Sequence, residues 1–317
     1  MRGSKGRVLA LLVTLLLQTS CASNRDESED QFCPAGADMA AYVDPMIGTL
    51  GSGNAVPGAL VPHGMVKLSP DSVVEPGSVD AYEYGSDRIE GFSHTHLQGP
   101  GGGANGYSHI LFMPTTGELE TDSQAYASKF SHESEEASPG YYAVTLDDYG
   151  VRAELTATAH AGVHRYTFQD SGEARVLIDI GHSRGESRGG EARITDGNVI
   201  QGNGVYNVHP LLDLLLSKEE RTVGRSVVYF YAVFDEPFSS HGTWCVVEDE
   251  VVVKDGSSEV SGIWAGAFAT FPVEAGEIRL GQPGVRGRDR TAGAVKAGPL
   301  AEGQVDVERQ GARRRIA

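Results

Sequence analysis

A chain of 317 residues is long enough to bury a sizeable core, either as one large β domain or as two smaller domains. Its formal net charge of -17 at pH 7 argues against binding to nucleic acid or to an anionic membrane surface, because both need clustered Lys and Arg. We therefore expect a neutral or cationic partner.

The N-terminus has the order of an export signal. Basic residues precede an apolar run from Val8 to Leu17, and small residues stand directly before Cys21. This order is typical of a bacterial lipoprotein signal over residues 1–21, in which Cys21 is lipidated and becomes the new N-terminus. Plain secretion and retention as an anchor stay open, because Gln18 stands where an apolar residue is usual. Residues 22–40 are polar and acidic, and are interpreted as a tether.

Two cysteines remain after such processing, Cys33 and Cys245. An oxidising periplasm would allow them to pair. Two cysteines so far apart give no spacing signal, so a disulfide and two separate thiols both stay open.

The next feature is a pair of glycine-rich stretches, which we call the first loop (Gly48–Asn54) and the second loop (Ser93–Gly106). Three glycines of the second loop have the spacing of a dinucleotide-binding fingerprint, but that fingerprint needs a strand before it and a helix after it. The run Tyr107–Met113, closed by Pro114, instead predicts a buried strand. No Lys-Ser/Thr pair follows a glycine run, so we exclude a phosphate-binding loop as well.

Strand periodicity dominates from Tyr42 onward. Tyr142–Leu146 and Val151–Ala157 alternate in polarity around a turn and predict a hairpin. Only Leu211–Glu220 has a weakly helical pattern. Similar alternating segments follow at 163–168, 174–180, 227–234 and 244–253. Many short strands separated by Gly, Pro and Asp turns predict an all-β fold, an antiparallel β-sandwich over residues 41–277.

Residues 278–317 differ in composition from everything before them. They contain no aromatic residue, no strand alternation and an excess of arginine. Two interpretations stay open: a disordered, basic, low-complexity tail, or a translation of the wrong reading frame. Sequencing the DNA around the codon for Glu277 and translating the other frames would distinguish them.

Three long segments carry a resemblance to a known family. They are "YVDPMIGTLGSGNAVPGALVPHGMVKLSPDS", "GFSHTHLQGPGGGANGYSHILFMPTTG" and "FSHESEEASPGYYAVTLDDYGVRAELTATAHAGVHRYTF". In this order they resemble the N-terminal domain of glycoside hydrolase family 92, the calcium-dependent exo-α-mannosidases. The resemblance runs from about Tyr42 to about Glu277, and is poorer between Gly204 and Arg225.

The resemblance implies a two-domain enzyme that removes terminal α-linked mannose with inversion. An N-terminal β-sandwich rests on a larger C-terminal α/α barrel, and the active site lies at their junction. The acid, the base and most calcium ligands come from the barrel, which this sequence lacks. We therefore expect no catalytic residue and no calcium or other metal ligand in this chain.

The resemblance also places both glycine loops at the sugar-binding junction. It implies a set of substrate-binding residues: Gly48, Thr49, Gly51, Gly53, Asn54, Ser93, His94 and His96. The alternative is structural, with glycines that only satisfy tight turns and histidines that brace the second loop. His94 and His96 share one face of an extended segment, but a metal site is disfavoured because no third ligand has a recognisable spacing.

Other candidates have structural interpretations. Trp244 and Trp264 lie within strand patterns, so core packing is favoured over sugar stacking for both. Two acidic pairs, Asp147 with Asp148 and Glu133 with Glu136, lie in a turn and a polar run, where solvated loops are expected.

Three functions follow from the sequence. The first is a truncated part of an exported α-mannosidase, inactive alone, whose partners are α-mannose-containing glycans. The second is a stand-alone carbohydrate-binding lipoprotein of the periplasm or outer membrane, held at the membrane only by its lipid anchor. The third is a subunit that pairs with a separately encoded α/α barrel.

Overall fold

A computed structural model describes residues 38–74, 81–98, 107–207, 225–275, 278–279, 294–295 and 298–299. They fall into two compact units. Residues 38–42, with the 3₁₀ helix Met39–Tyr42, belong to one, and Val43 begins the other. The proposed signal, most of the tether, and the weakly helical Leu211–Glu220 lie outside the described residues.

Antiparallel strands make up most of the larger unit. A short helix, α1, spans Ser123–Tyr126, and 3₁₀ helices span Gly51–Gly53 and His132–Ser134. The strands are β1 (Ala59–Leu60), β2 (Lys67–Ser72), β3 (Arg88–Ser93), β4 (Leu111–Thr116), β5 (Ser128–Lys129), β6 (Glu136–Ser138), β7 (Tyr141–Leu146), β8 (Val151–Ala157), β9 (Gly162–Phe168), β10 (Gly172–Asp179), β11 (Glu186–Thr195), β12 (Val199–Asn207), β13 (Arg225–Val233), β14 (Ser240–Val247), β15 (Glu250–Asp255), β16 (Glu259–Val273), β17 (Ile278–Arg279), β18 (Ala294–Val295) and β19 (Gly298–Pro299).

The strands form two sheets that share β16. One has the order β2–β3–β4–β10–β16–β14–β15, with β1 beside β2 and β5 beside β3. The other runs β6–β7–β8–β9, continues through β18 to β13, and ends β12–β11–β16. The first half of β16 pairs with β11 and the second half with β10. The predicted all-β, antiparallel fold is confirmed.

The predicted hairpin is present as β7 and β8, with Tyr142 paired to Leu155. Alternate residues of β8, among them Val151 and Leu155, are buried, and those between them are partly exposed. This alternation follows from the two-residue period of a strand that has one face on the core. Fully buried aromatic side chains from both sheets fill that core, including Phe92, Tyr142 and Phe271.

The strand predicted over Tyr107–Met113 begins later. Ser108 and Ile110 have left-handed backbones, with φ of 72° and 58°, so β4 starts only at Leu111. β4 then continues through Pro114, which faces Val176 of β10. On the other side of β4, β3 pairs with it only at Phe112. That side of β4 is therefore open at Pro114, and proline is tolerated there.

Three two-residue strands lie beyond the predicted end of the sandwich at Glu277. β17 pairs with β9, β18 pairs with both β9 and β13, and β19 pairs with β13. The rest of residues 278–317 lies outside the described residues. The two interpretations of this tail therefore stay predictions.

Export and disulfide formation concern residues that the structure leaves out. Cys21 and Cys33 are outside the described residues, while Cys245 is buried with a free thiol. The Cys33–Cys245 pairing stays a prediction. Within the described part of the chain, every helix is too short or too polar to cross a bilayer.

The prediction for the two tryptophans was half wrong. Trp244 is buried, as expected, but Trp264 is 56% exposed and has a φ of 53°. The regular alternation breaks at this point, because the register between β14 and β16 shifts opposite Trp264. A Cβ atom on Gly181 would lie 2.7 Å from the Trp264 Cα, so the two backbones pass very close together. Trp264 and its neighbour Ile263 are both more than half exposed.

Replacing Trp264 tests whether its backbone is strained. We expect the free energy of unfolding of Trp264→Gly to be about 1 kcal/mol higher than that of Trp264→Ala. Both variants remove the indole, but only Gly relieves the strain of the left-handed backbone. Urea denaturation measures the difference. At Val253, half-exposed on neighbouring β15, the order should reverse, because Gly weakens a regular strand. Equal stability of the Trp264→Ala and Trp264→Gly variants would contradict the strain.

Candidate functional site

The first loop is shaped by close backbone contacts. The Ala55 amide donates to the Gly48 carbonyl at 3.0 Å and closes it. Gly48 and Asn54 have φ of 85° and 49°. A Cβ atom on Gly53 would lie 2.3 Å from the Gly48 carbonyl oxygen, so only glycine fits that position.

The same loop is attached to the segment that precedes β3. Buried Thr49 donates its hydroxyl to the Met46 carbonyl at 2.8 Å, and its own carbonyl accepts from the Tyr84 amide at 2.9 Å. The Gly51 amide donates to Glu83 Oε1 at 3.1 Å. These bonds fix the loop as a turn whose outer side is exposed, so the structural alternative accounts for its glycines. Contact with a sugar stays a prediction.

The described residues at the two ends of the second loop form a buried base. The His94 amide donates to the His109 carbonyl at 3.2 Å, and the Ser108 amide donates to the Thr95 carbonyl at 2.8 Å. All four residues of this base are buried. Residues 99–106, with most of the loop's glycines, lie outside the described residues.

The Asp71 carboxylate, fully buried on β2, joins the two sides of this base. Its Oδ1 accepts hydrogen bonds from His96 Nε2 at 2.9 Å and from Ser108 Oγ at 3.0 Å. His96 Nδ1 also donates to the Lys67 carbonyl at 2.6 Å. Both ring nitrogens of His96 therefore face oxygen acceptors.

The charge of Asp71 is maintained by its neighbours. Burial alone would raise the pKa of its carboxyl, but the charge and hydrogen bond of His96 and the nearby ring of His182 outweigh burial and hold that pKa well below its usual range. His182 Nε2 lies 3.4 Å from Asp71 Oδ2. Burial lowers the pKa of His182, but the adjacent Asp71 carboxylate outweighs burial and raises it. Asp71 is thus ionised at neutral pH.

The connection between β10 and β11 contacts the residue that follows the second loop. Asp179 Oδ1 accepts from the His182 amide at 3.0 Å. The Arg184 amide donates to the Tyr107 carbonyl at 2.8 Å, and Arg184 Nη2 pairs with Glu90 Oε2 at 2.8 Å. The largely buried Arg184–Glu90 pair thereby links Tyr107, which follows the loop, to β3.

Behind the loop, two histidines form a hydrogen-bonded chain. His94 Nδ1 lies 2.9 Å from the Ile110 carbonyl, which only accepts, so this nitrogen carries the proton. His94 Nε2 then accepts from His164 Nε2 at 3.0 Å, and His164 Nδ1 accepts from the Tyr166 hydroxyl at 2.9 Å. Both rings are neutral in this arrangement. Burial lowers the pKa of His94 to about 4 and that of His164 well below its ordinary value.

The predicted residues of the second loop are therefore all buried. Ser93 Oγ lies 3.2 Å from His96 Nε2, and His94 and His96 bond to different protein groups. These contacts agree with the bracing interpretation, and direct sugar contact stays a prediction. Across the described ranges, no group of three or more His, Cys, Asp or Glu side chains is arranged to hold a metal ion.

The sequence did not single out several members of this network. Asp71 stands in the quoted segment "SPDS", but its partners His182 and Ser108 lie far along the chain. A hint was available in His164, which stands on the apolar side of the alternating segment Val163–Phe168. A polar residue at a core position needs a buried partner, and this one finds His94.

Comparison with known families identifies the fold. Residues 42–280 match the model of the glycosyl hydrolase family 92 N-terminal domain. The chain belongs to glycosyl hydrolase family 92. The resemblance read from the sequence between Tyr42 and Glu277 is confirmed.

Two solved structures are similar to the family 92 chain. An alpha-mannosidase of this family from Bacteroides thetaiotaomicron, in complex with mannoimidazole, matches with a TM-score of 0.64 and 27% identity, over 84% of this chain and 33% of that one. The family 92 glycosyl hydrolase ccman5 matches with a TM-score of 0.64 and 26% identity, over 86% of this chain and 34% of that one.

A curated relative is an uncharacterized secreted glycosidase of Arthroderma benhamiae. It is 33% identical over 165 residues, which are 46% of this chain and 21% of the relative. The family 92 chain thus spans about a third of the length of the two solved relatives and about a fifth of the length of the Arthroderma benhamiae relative.

Proposed function

We propose that this chain is the N-terminal, sugar-facing part of an exported α-mannosidase, and that it does not hydrolyse glycosides by itself. In this proposal the first and second loops form one side of a mannose subsite. The other side, with the catalytic acid and base, belongs to a C-terminal α/α barrel. Export proceeds through a lipoprotein signal that ends at Cys21.

One observation carries the proposal: the match is to an N-terminal domain and covers about a third of relatives that include an alpha-mannosidase in complex with mannoimidazole. The curated relative is named a secreted glycosidase, which supports export.

The carboxylates of the described residues support an inactive chain. Inverting hydrolysis needs a protonated carboxyl and a second carboxylate about 6.5–9.5 Å apart on opposite sides of the sugar ring. The buried acids Asp71, Glu90 and Asp179 are each bonded to protein donors or cations. The pairs suggested by the sequence are solvated: Asp147 and Asp148 are exposed in a turn.

Calcium would be supplied at the barrel in this proposal, as the family resemblance implies. Among the described residues, no three His, Cys, Asp or Glu side chains are gathered around a common point. We therefore assign the chain's residues to shaping and orienting the subsite. Ser93, His94 and His96 act from beneath, by fixing the base of the second loop.

The test is an assay of the purified chain with an activated aryl α-mannoside and added calcium, beside a full-length family member. We expect turnover no higher than the background rate, since general acid-base catalysis contributes about 10²- to 10⁴-fold per positioned group. The chain should nevertheless migrate more slowly in a native gel that contains mannan. Turnover comparable to that of the full-length enzyme, abolished by Asp147→Asn or Asp148→Asn, would show that the catalytic pair lies in this chain.

A further inference from the structure

The side chain of Tyr84 lies exposed beside the first loop. Tyr84 is 40% exposed, although its backbone is fixed by the hydrogen bond from its amide to the Thr49 carbonyl at 2.9 Å. The preceding residue, Glu83, accepts from the Gly51 amide at 3.1 Å. Two hydrogen bonds therefore hold the first loop and Tyr84 together.

One face of the Tyr84 ring is supported by His132. The two rings are stacked, with centroids 4.0 Å apart and an interplanar angle of 12°. His132 Nε2 lies 2.8 Å from the Tyr84 carbonyl, and His132 Nδ1 lies 2.7 Å from Glu135 Oε2. The imidazole is thus fixed at both nitrogens. The surface that Tyr84 exposes belongs to the opposite face and the edge of its ring.

The support extends into buried structure at Glu135, whose side chain is 3% exposed. Its carboxylate accepts from the Tyr82 hydroxyl at 2.8 Å and from the Tyr142 hydroxyl at 2.6 Å, in addition to His132. Tyr82 and Tyr142 are fully buried. An aromatic ring held this way loses little freedom when a ligand covers it, which favours binding.

We propose that the open face of Tyr84 is a stacking platform for a pyranose ring, next to the mannose subsite of the first loop. This inference rests on the proposed function and adds a binding residue to it. A hexopyranoside has an apolar C–H face and a rim of hydroxyl groups. Tyr84 offers the flat apolar surface, and the neighbouring Glu83 carboxylate offers a polar partner for the rim.

The surroundings separate Tyr84 from Trp264, which is also exposed. Trp264 follows exposed Ile263, whose partner Val246 pairs with exposed Val251. An apolar neighbourhood of this kind suits a protein contact better than a hydroxylated sugar. Tyr84 has charged and backbone polar groups around it, so the geometry favours a carbohydrate there.

The experiment compares the mobility of the full chain and its variants in native gels that contain increasing mannan. We expect Tyr84→Ala to weaken the apparent affinity about tenfold. Tyr84→Phe should bind like the unchanged chain, because it keeps the ring. Tyr229→Ala is the matched control: Tyr229 is 39% exposed, but lies on β13, which is not paired with the strands next to the first loop. Free methyl α-mannopyranoside should relieve the retardation.

Circular dichroism and urea denaturation check that each variant folds. If Tyr84→Ala unfolds, Tyr84→Leu replaces it, because leucine keeps apolar bulk against His132 without a flat ring. Equal affinity of the Tyr84→Leu or Tyr84→Ala variant and the Tyr229→Ala variant would overturn the platform and leave the proposed function intact. No retardation of the unchanged chain would overturn both.

Discussion

Replacing Asp71 with alanine should lower the free energy of unfolding by about 3–5 kcal/mol, the cost expected when one partner of a buried charged pair is removed. The substitution leaves His96 and Ser108 without their shared acceptor, and it leaves His182 beside an empty space. These groups are buried, so water cannot replace the lost hydrogen bonds without opening the base of the second loop.

A second variant separates charge from shape. Asp71→Asn keeps the volume and one acceptor oxygen. Its free energy of unfolding should therefore fall by less than that of Asp71→Ala, but by a measurable amount. Asp170→Asn is the control, because Asp170 is exposed and should change stability by less than about 0.5 kcal/mol. Urea denaturation at pH 7 measures all three. If Asp71→Ala and Asp170→Asn had similar effects, the carboxylate would not hold the loop base together.

Stability should fall steeply as the pH drops from about 6.5 to about 4. Burial lowers the pKa of both His94 and His164, so the unfolded chain binds protons in this range that the folded chain does not. Each such histidine destabilises the fold by about 1.4 kcal/mol per pH unit, and their contribution disappears above pH 6.5, where both states are neutral.

Other buried groups change the stability mainly outside the range from pH 6.5 to pH 4, or change it in the opposite direction within that range. The pKa of His182 is raised, so its contribution is fully present below 6.5 and is lost as the pH rises through the raised value. The pKa of Asp71 is lowered, so its contribution is present above about 3.8 and is lost at lower pH. Burial raises the pKa of Asp179, which favours the fold as the pH falls and offsets part of the loss at the acid end. We therefore expect maximal stability near or just above pH 6.5.

The variant His164→Gln tests the source of the slope. It removes one of the two titrating rings, so the slope between pH 6.5 and 4 should fall by about 1.4 kcal/mol per pH unit, whatever the variant's stability at pH 7. His160→Gln, at an exposed histidine, should leave the slope unchanged. The free energy of unfolding from urea titrations at several pH values gives both slopes. Parallel curves for the unchanged chain and His164→Gln would assign the slope to other groups.

Local alternation was enough to predict β7 to β10 and β13, because the pattern of a half-buried strand is written in neighbouring residues. The pairing of Tyr142 with Leu155 follows from it. The single strand predicted over 244–253 was wrong, because left-handed backbones at Glu248 and Asp249 make a turn that divides it into β14 and β15.

The buried polar network could not be predicted from local alternation. Asp71 and His96 are 25 residues apart, and His94 and His164 are 70 residues apart, so their contact depends on how distant strands are arranged.

The errors in the start of β4 and in the burial of Trp264 share one physical cause. Ser108, Ile110 and Trp264 all have left-handed backbones inside segments whose composition is that of a regular strand. At Ser108 the cost is offset by tertiary contacts, since its amide bonds to Thr95 and its hydroxyl to Asp71. Composition reports the preference of a residue for a strand, but a hydrogen bond made by a distant part of the chain can outweigh it.

The environments of the two tryptophans make the protein its own optical probe. The sequence contains only Trp244 and Trp264, one buried and the other in solvent. Their fluorescence should therefore consist of a short-wavelength component and a long-wavelength component, and an aqueous quencher should reach mainly the second. A protein that covers the β14–β16 face would shield Trp264 and reduce that quenching, whereas a sugar bound at the first loop would not. Docking at one surface can thus be followed separately from ligand binding at the other, without any added label.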